Sequence, residues 1–119
     1  MAGHNSRVRL NATHGNGYSE PADDFGIGVI GTASGNVIDA NNVTGNTNGI
    51  LVAAATRQTM VRENVVVGNP GIQVANSNPT ARAVDILNLS AAGQTTFERN
   101  TCVTSVNAPC PAILRTPPQ

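Results

Sequence analysis

His14, Tyr18, Ser19, Glu20, Asp23 and Asp24 are the residues of this 119-residue chain whose types and crowding could do chemistry. Glu20, Asp23 and Asp24 fall within five residues of one another, just downstream of His14. The three carboxylates could hold calcium, or His14 could act as a base toward Ser19 or Tyr18 in a hydrolytic constellation. The D-x-D-x-D-G spacing of a calcium loop is absent, and acids beside Pro21 are ordinary solvated loop residues, which is the plainer reading. Asp85, the only acid in the stretch from 75 to 94, is a further catalytic candidate. Ser34 in "GTASG" lacks the G-x-S-x-G spacing of a nucleophile elbow and reads as a turn residue.

Cys102 and Cys110 are the only cysteines, eight residues apart. A disulfide stapling a C-terminal loop in an oxidising compartment is expected, because Pro flanks Cys110 and favours an ordered loop; two inert buried thiols are the alternative.

Charged residues make up 12% of the chain and balance to zero, so there is no clustered positive surface for nucleic acid or an anionic membrane. No apolar stretch approaches the ~20 residues of a membrane-spanning helix, and "MAGHNSRVRL" has no signal-peptide apolar core. A disulfide without a signal peptide leads us to expect a secreted or periplasmic parent protein of which this chain is the C-terminal part. Three aromatic residues and no Trp leave Val, Ile, Leu and Ala to build any core, which favours thin regular layers over a bulky interior.

The elements that would carry these residues repeat. "RVRLNATHGN" (7–16), "VIDANNVTGN" (37–46), "MVRENVVVGN" (60–69) and "TFERNTCVTS" (96–105) align, placing Asn11, Asn41, Asn64 and Asn100 in one column. A second series follows them: "FGIGV" (25–29), "NGILV" (48–52), "PGIQV" (70–74) and, more loosely, "PAILR" (111–115). Asn41 and Asn64 are 23 residues apart, and a period in the low twenties signals a solenoid. Alternating aliphatics at Ile27/Val29, Ile50/Val52 and Ile72/Val74 argue for strands, while Gly or Asn interrupts every helical pattern.

With Asn36-Val37-Ile38-Asp39-Ala40-Asn41-Asn42-Val43-Thr44-Gly45-Asn46-Thr47-Asn48-Gly49-Ile50-Leu51-Val52, the chain resembles the right-handed parallel β-helix, or pectate-lyase-like, superfamily. The resemblance covers about residues 6 to 115. It implies an all-β fold, a short right-handed parallel β-helix (solenoid) of about four coils with an asparagine ladder. One domain spans 1–119, with coils near 6–34, 35–57, 58–93 and 94–115 and a C-terminal cap over 102–119. The superfamily includes lyases, hydrolases, epimerases, esterases, tailspikes and copper-insertion accessory proteins, so the fold leaves the activity open.

Each column carries an expectation. Asn tolerates positive φ at a tight bend and its amide both donates and accepts, so Asn11, Asn41, Asn64 and Asn100 should form a structural ladder. Two residues before them stand Arg9, Asp39, Arg62 and Glu98, a column of alternating sign that reads as exposed salt bridges between coils. Val8, Ile38, Val61 and Phe97 should point inward, with Ile27, Ile50, Ile72 and Ile113, so a polar substitution at Val61 or Ile50 should be among the most damaging. The outward positions Gly28, Leu51, Gln73 and Leu114, beside Ala53, carry none of the acids and bases that the resemblance would place on a lyase's catalytic face.

Leu51, Ala53 and Gln73 are therefore read as an interface with a second copy. The expected function is a non-catalytic structural or interaction module of a secreted or envelope protein that forms a homo-oligomer. The alternative is a hydrolase or lyase acting on a polysaccharide or ester. No cofactor is expected beyond the calcium that Glu20, Asp23 and Asp24 could bind, and neither nucleic acid nor membrane is expected as a partner. His4 is expected in a frayed N-terminus, and "AVDILNLS" as an extra strand or an apolar flap.

Overall fold

The computed structural model describes residues 1, 3–14, 25–46, 48–69 and 84–110. Among them every regular element is a strand of two to four residues: β1 Arg7–Arg9, β2 Ala12–His14, β3 Ile27–Val29, β4 Val37–Asp39, β5 Asn42–Thr44, β6 Ile50–Val52, β7 Thr59–Arg62, β8 Val65–Val67, β9 Ile86–Asn88, β10 Thr95–Glu98, β11 Thr101–Cys102 and β12 Ser105–Val106. They form three four-stranded sheets, ordered β1-β4-β7-β10, β2-β5-β8-β11 and β3-β6-β9-β12. All pairings are parallel. The chain thus visits the three sheets in turn, and each set of three consecutive strands makes one rung upon the last. This all-β arrangement is compatible with a short parallel β-helix.

The strands are short because a bend follows each, and the bends are built from left-handed backbone. Leu10, Ala40, Glu63 and Arg99 all have φ between 53° and 59°, each immediately before a ladder asparagine. The positive φ expected of the asparagines themselves therefore falls one residue earlier, on residues without the local side-chain hydrogen bonding that favours Asn there. The asparagines instead join the rungs. The backbone N–H and Nδ2 of Asn11 donate to Asn41 Oδ1 at 2.9 and 3.3 Å, those of Asn41 to Asn64 Oδ1 at 2.9 and 3.0 Å, and those of Asn64 to Asn100 Oδ1 at 3.1 and 2.9 Å.

A second ladder, not singled out from the sequence, runs through the bend after sheet two. The N–H of Asn46 donates to Asn69 Oδ1, and the N–H and Nδ2 of Asn69 donate to Asp85 Oδ1. Its signal was present in the repeated Gly-Asn of Gly45-Asn46 and Gly68-Asn69, residues used above only to close each line of the repeat.

Inside the ring of sheets, alternation directs every second side chain inward. Val8, Ile38, Val61 and Phe97 are in register across sheet one, and Ile38 and Val61 have no exposed surface. Val43 and Val66 of sheet two and Ile50, Val52 and Ile86 of sheet three meet them in a thin aliphatic core. Each of these burials contributes about 1.5–3 kcal/mol.

Two expectations change in sheet three. The strand that pairs with β6 is β9, Ile86↔Ile50 and Leu87↔Leu51, and the strand that pairs with β9 is β12. "PGIQV" and "PAILR", which the repeat aligned there, lie outside the described residues, and Ile86–Asn88 of "AVDILNLS" supplies the third rung itself. The reason is polar: the N–H of Val84 donates to Asn48 Oδ1 at 3.0 Å, a donor that Pro70 lacks. Asp85 next to it accepts from the N–H groups of Asn69, Val103 and Thr104, where Gly71 has no side chain. Gly49 is required opposite, since a Cβ there would lie 2.4 Å from the Asp85 carbonyl oxygen.

The two ends differ. At the C-terminal end Cys102 and Cys110 are disulfide-bonded, and Ala108 and Cys110 pack against the core. At the N-terminal end His4, expected to be frayed, bridges Ser34, and the Met1 ammonium and carbonyl pair with Gly28 and Ile30 at the edge of β3.

Candidate functional site

Of the loop constellation, only His14 is described. It ends β2 in register with Thr44, is exposed, and lies against Gly45, where a Cβ would come within 2.6 Å of the imidazole Nδ1. Tyr18, Ser19, Glu20, Asp23 and Asp24, its expected companions and the expected calcium ligands, lie outside the described residues. No cluster of three His, Cys, Asp or Glu able to hold a metal occurs among the described residues. Asp85 is fully buried and committed to the backbone N–H groups and Asn69 amide described above, so its carboxylate serves the bend between rungs three and four.

The charged column on the outer face of sheet one is built around Asp39. Strand alternation puts Arg7 and Arg9 of β1, Asp39 of β4 and Arg62 of β7 on one face, opposite Val8, Ile38 and Val61. Arg7, which the expected column omitted, is the nearest partner: its Nη2 donates to Asp39 Oδ2 at 2.6 Å and its Nε to Oδ1 at 3.0 Å. Arg9 Nε and Arg62 Nε approach Oδ2 at 3.6 and 3.9 Å. The hydrogen bonds from Arg7 hold the Asp39 carboxyl below the usual carboxylate range against the opposing effect of desolvation, with the charges of Arg7, Arg9 and Arg62 adding to the lowering. The same contact raises Arg7 above the ordinary arginine value.

The pairing was expected to be exposed, yet the Asp39 side chain is only 2% exposed. Its arginines are 49%, 54% and 32% exposed, so the acid is covered by side chains whose guanidinium groups face it and which stay partly open to solvent, while Arg62 Nε is itself buried without a hydrogen bond. Glu98 stands in register with Arg62 but makes no ion pair within 4.0 Å among the described residues, Arg62 Nε lying 3.9 Å from Asp39 instead. The other ion pair among the described residues, Arg99 with Glu63 at 3.0 Å, joins the positive-φ bends of adjacent rungs.

The expected interface also shifts. Leu51 is buried at 6% exposure, packed with Leu87, Val84, Phe25 and Val106, and so offers little surface to a second copy. The cause lies in the column itself: the Phe25 ring folds over Gly28, within 2.4 Å of where a Cβ would stand, and shields the apolar row. Gln73 lies outside the described residues. Ala53 is half-buried, and its N–H donates to Val29 O as that of Leu89 does to Val52 O. Ile30, Ala53 and Leu89 thus stack on consecutive rungs, with Ile30 40% and Leu89 48% exposed. Beside this ridge is an open hollow of about 530 Å³ whose walls include Thr32, Ala54, Ala55 and Ala91, with Arg57 and Gln94.

No helix among the described residues is long and apolar enough to cross a membrane. No family model, curated protein or solved structure matches the chain.

Proposed function

We propose that the chain is a short right-handed parallel β-helix of the pectate-lyase-like kind, acting as a non-catalytic interaction module that associates with a second copy of itself. Support for the finer fold reading comes from the cyclic order of the three sheets, their in-register parallel pairing and the asparagine ladder. The disulfide supports an oxidising, extracytoplasmic setting.

One observation carries the functional reading: Ile30, Ala53 and Leu89 form a partly exposed apolar ridge beside a hollow walled largely by small side chains. A knob of branched aliphatics and a shallow hollow on one surface are the two halves of a self-complementary contact, and a twofold pair places each ridge in the other copy's hollow. Arg57 and Gln94 would lie at the polar margin of this contact.

Sedimentation velocity tests it. The chain should sediment as a dimer at micromolar concentration, and Leu89→Asp should return it to monomer with an unchanged far-UV spectrum, because the substituted side chain is solvent-facing in the monomer. A monomer at all concentrations would end the self-association reading. Turnover in a screen of ester and glycan substrates that is lost in His14→Ala would replace it with an enzyme.

A further inference from the structure

Asn-x-Ser/Thr, with any residue but proline at x, occurs at Asn11-Ala12-Thr13, Asn42-Val43-Thr44 and Asn88-Leu89-Ser90. Such a triplet is the acceptor for an N-linked glycan, a bulky group that only a surface position can carry. The structure sorts the three. Asn88 is 8% exposed and its amide is tied on both sides: Nδ2 donates to Asn107 O at 2.9 Å, and Oδ1 accepts from the N–H and Oγ of Ser90. Asn11 belongs to the ladder, its Nδ2 donating to Arg9 O and to Asn41 Oδ1, and the hydroxyl of its Thr13 accepts from Asn46 Nδ2 at 3.2 Å.

Asn42 differs on each count. It is exposed, and among the described residues its carboxamide makes no hydrogen bond. It begins β5, a strand held between β2 and β8 and in register with Ala12 on one side and Val65 on the other, so its surroundings are set by a rung on each side. Strand alternation sends Val43 into the core and turns Asn42 and Thr44 onto the same outer face. The strands of this sheet contain no Asp, Glu or Arg. Beside Asn42 is a hollow of about 430 Å³ whose walls include Leu10, Ala12, Ala40 and Val65. Leu10 is 75% and Val65 44% exposed, an apolar pair that the core leaves uncovered next to an unbonded amide.

We propose that Asn42 is the acceptor of an N-linked glycan whose first sugar lays its C–H face over Leu10 and Val65 and turns its hydroxyls to solvent. The donor is an oligosaccharide carried on a polyprenyl diphosphate, and the enzyme is a transferase of the export route. Asn42 Nδ2 attacks the anomeric carbon, and the N–C bond forms as the C–O bond to the diphosphate breaks. The polyprenyl diphosphate leaves with the electron pair, one Nδ2 proton passes to a carboxylate of the transferase, and nothing is oxidised or reduced. Transfer takes place on the extended chain, and the fold decides which products it can accommodate: a glycan on Asn42 projects into solvent, whereas one on Asn88 breaks its bonds to Asn107 and Ser90. The inference rests on the extracytoplasmic setting proposed above and not on self-association. Asn42 lies on sheet two, whereas Ile30, Ala53 and Leu89 follow the strands of sheet three.

The test is secretion of the whole chain from eukaryotic cells, followed by peptide mass mapping. Cleavage at Arg and Asp puts Asn11, Asn42 and Asn88 on separate peptides, and peptide-N-glycosidase in heavy-oxygen water converts each glycan-bearing asparagine to a labelled aspartate. Label should appear at Asn42 in most secreted molecules and be absent at Asn88. Asn42→Gln and Thr44→Val should each lose the glycan, and because the second keeps Asn42 itself, a folding defect in the first cannot imitate the result. The urea midpoint of the glycosylated protein should lie above those of both variants secreted from the same cells. Unlabelled Asn42 in secreted, folded protein would overturn the proposal, as would equal labelling of Asn88, and equal midpoints would remove the covering of Leu10 and Val65. A glycosylated monomer would end the self-association reading alone, and an unglycosylated dimer this inference alone.

Discussion

Asn64 shows how much a single side chain does in a stack this thin. Its amide donates to Ile38 O and Asn100 Oδ1, and its oxygen accepts from the N–H and Nδ2 of Asn41. Leucine at 64 would remove the acceptor of the Asn41 N–H and the side-chain donor to Ile38 O in a dry bend, while Asn41 Nδ2 keeps Val8 O and Asn100 Oδ1 keeps the Asn64 N–H, so Asn64→Leu should cost about 2–4 kcal/mol in urea denaturation. Asn11→Leu, at the solvated end, should cost under about 1 kcal/mol. Equal losses at the two positions would remove the directional ladder as an explanation. Asp39 makes a prediction in pH. Its folded carboxyl is held below the ordinary value, so its contribution to stability is fully present above the unfolded pKa of about 4 and is lost as pH falls through the lower folded value. The acid limb of a stability-against-pH curve should therefore flatten in Asp39→Asn, while its neutral plateau drops.

Bends and rungs are the elements of this fold, and both were partly legible. The column of asparagines and the inward aliphatics could be read from spacing because strand period and rung period are written directly into side-chain type. The residue that bears the left-handed backbone could not, since Leu10, Ala40, Glu63 and Arg99 share no chemistry and are placed there by the hydrogen bonds of their neighbours. Ala40→Gly should be neutral or stabilise by up to about 1 kcal/mol, because relief of left-handed strain of about 1–2 kcal/mol outweighs the entropy that glycine gives the unfolded chain. Gly45→Ala should move the other way by about 1–2 kcal/mol, with φ at 69° and the His14 ring in its path. Denaturant midpoints of the two variants decide the matter. At the C-terminal end, reduction of Cys102–Cys110 frees a short loop and should cost about 2–3 kcal/mol, read as the difference in unfolding free energy with and without reductant.

At the scale of the whole molecule, rungs bury one face against another and leave two ends and an outer surface to meet the surroundings. Sequence alone determined the all-β class, the column of Asn11, Asn41, Asn64 and Asn100, the inward row of Val8, Ile38, Val61 and Phe97 and the cysteine pair, because each depends on local alternation or on a repeat that any stacked strand must honour. Tertiary structure decided which of two alternating segments forms the third rung of sheet three: a buried donor for Asn48 and a carboxylate for three backbone N–H groups are found at Val84 and Asp85 and not at Pro70 and Gly71. It also decided that Arg7 hydrogen-bonds Asp39 while Arg9 pairs with it only at 3.6 Å, and that Phe25 and Val84 cover Leu51, leaving Ile30 and Leu89 partly open to solvent. These outcomes depend on contacts between residues about 20 to 60 positions apart, where several partners of equal chemical merit compete and only three-dimensional proximity selects among them.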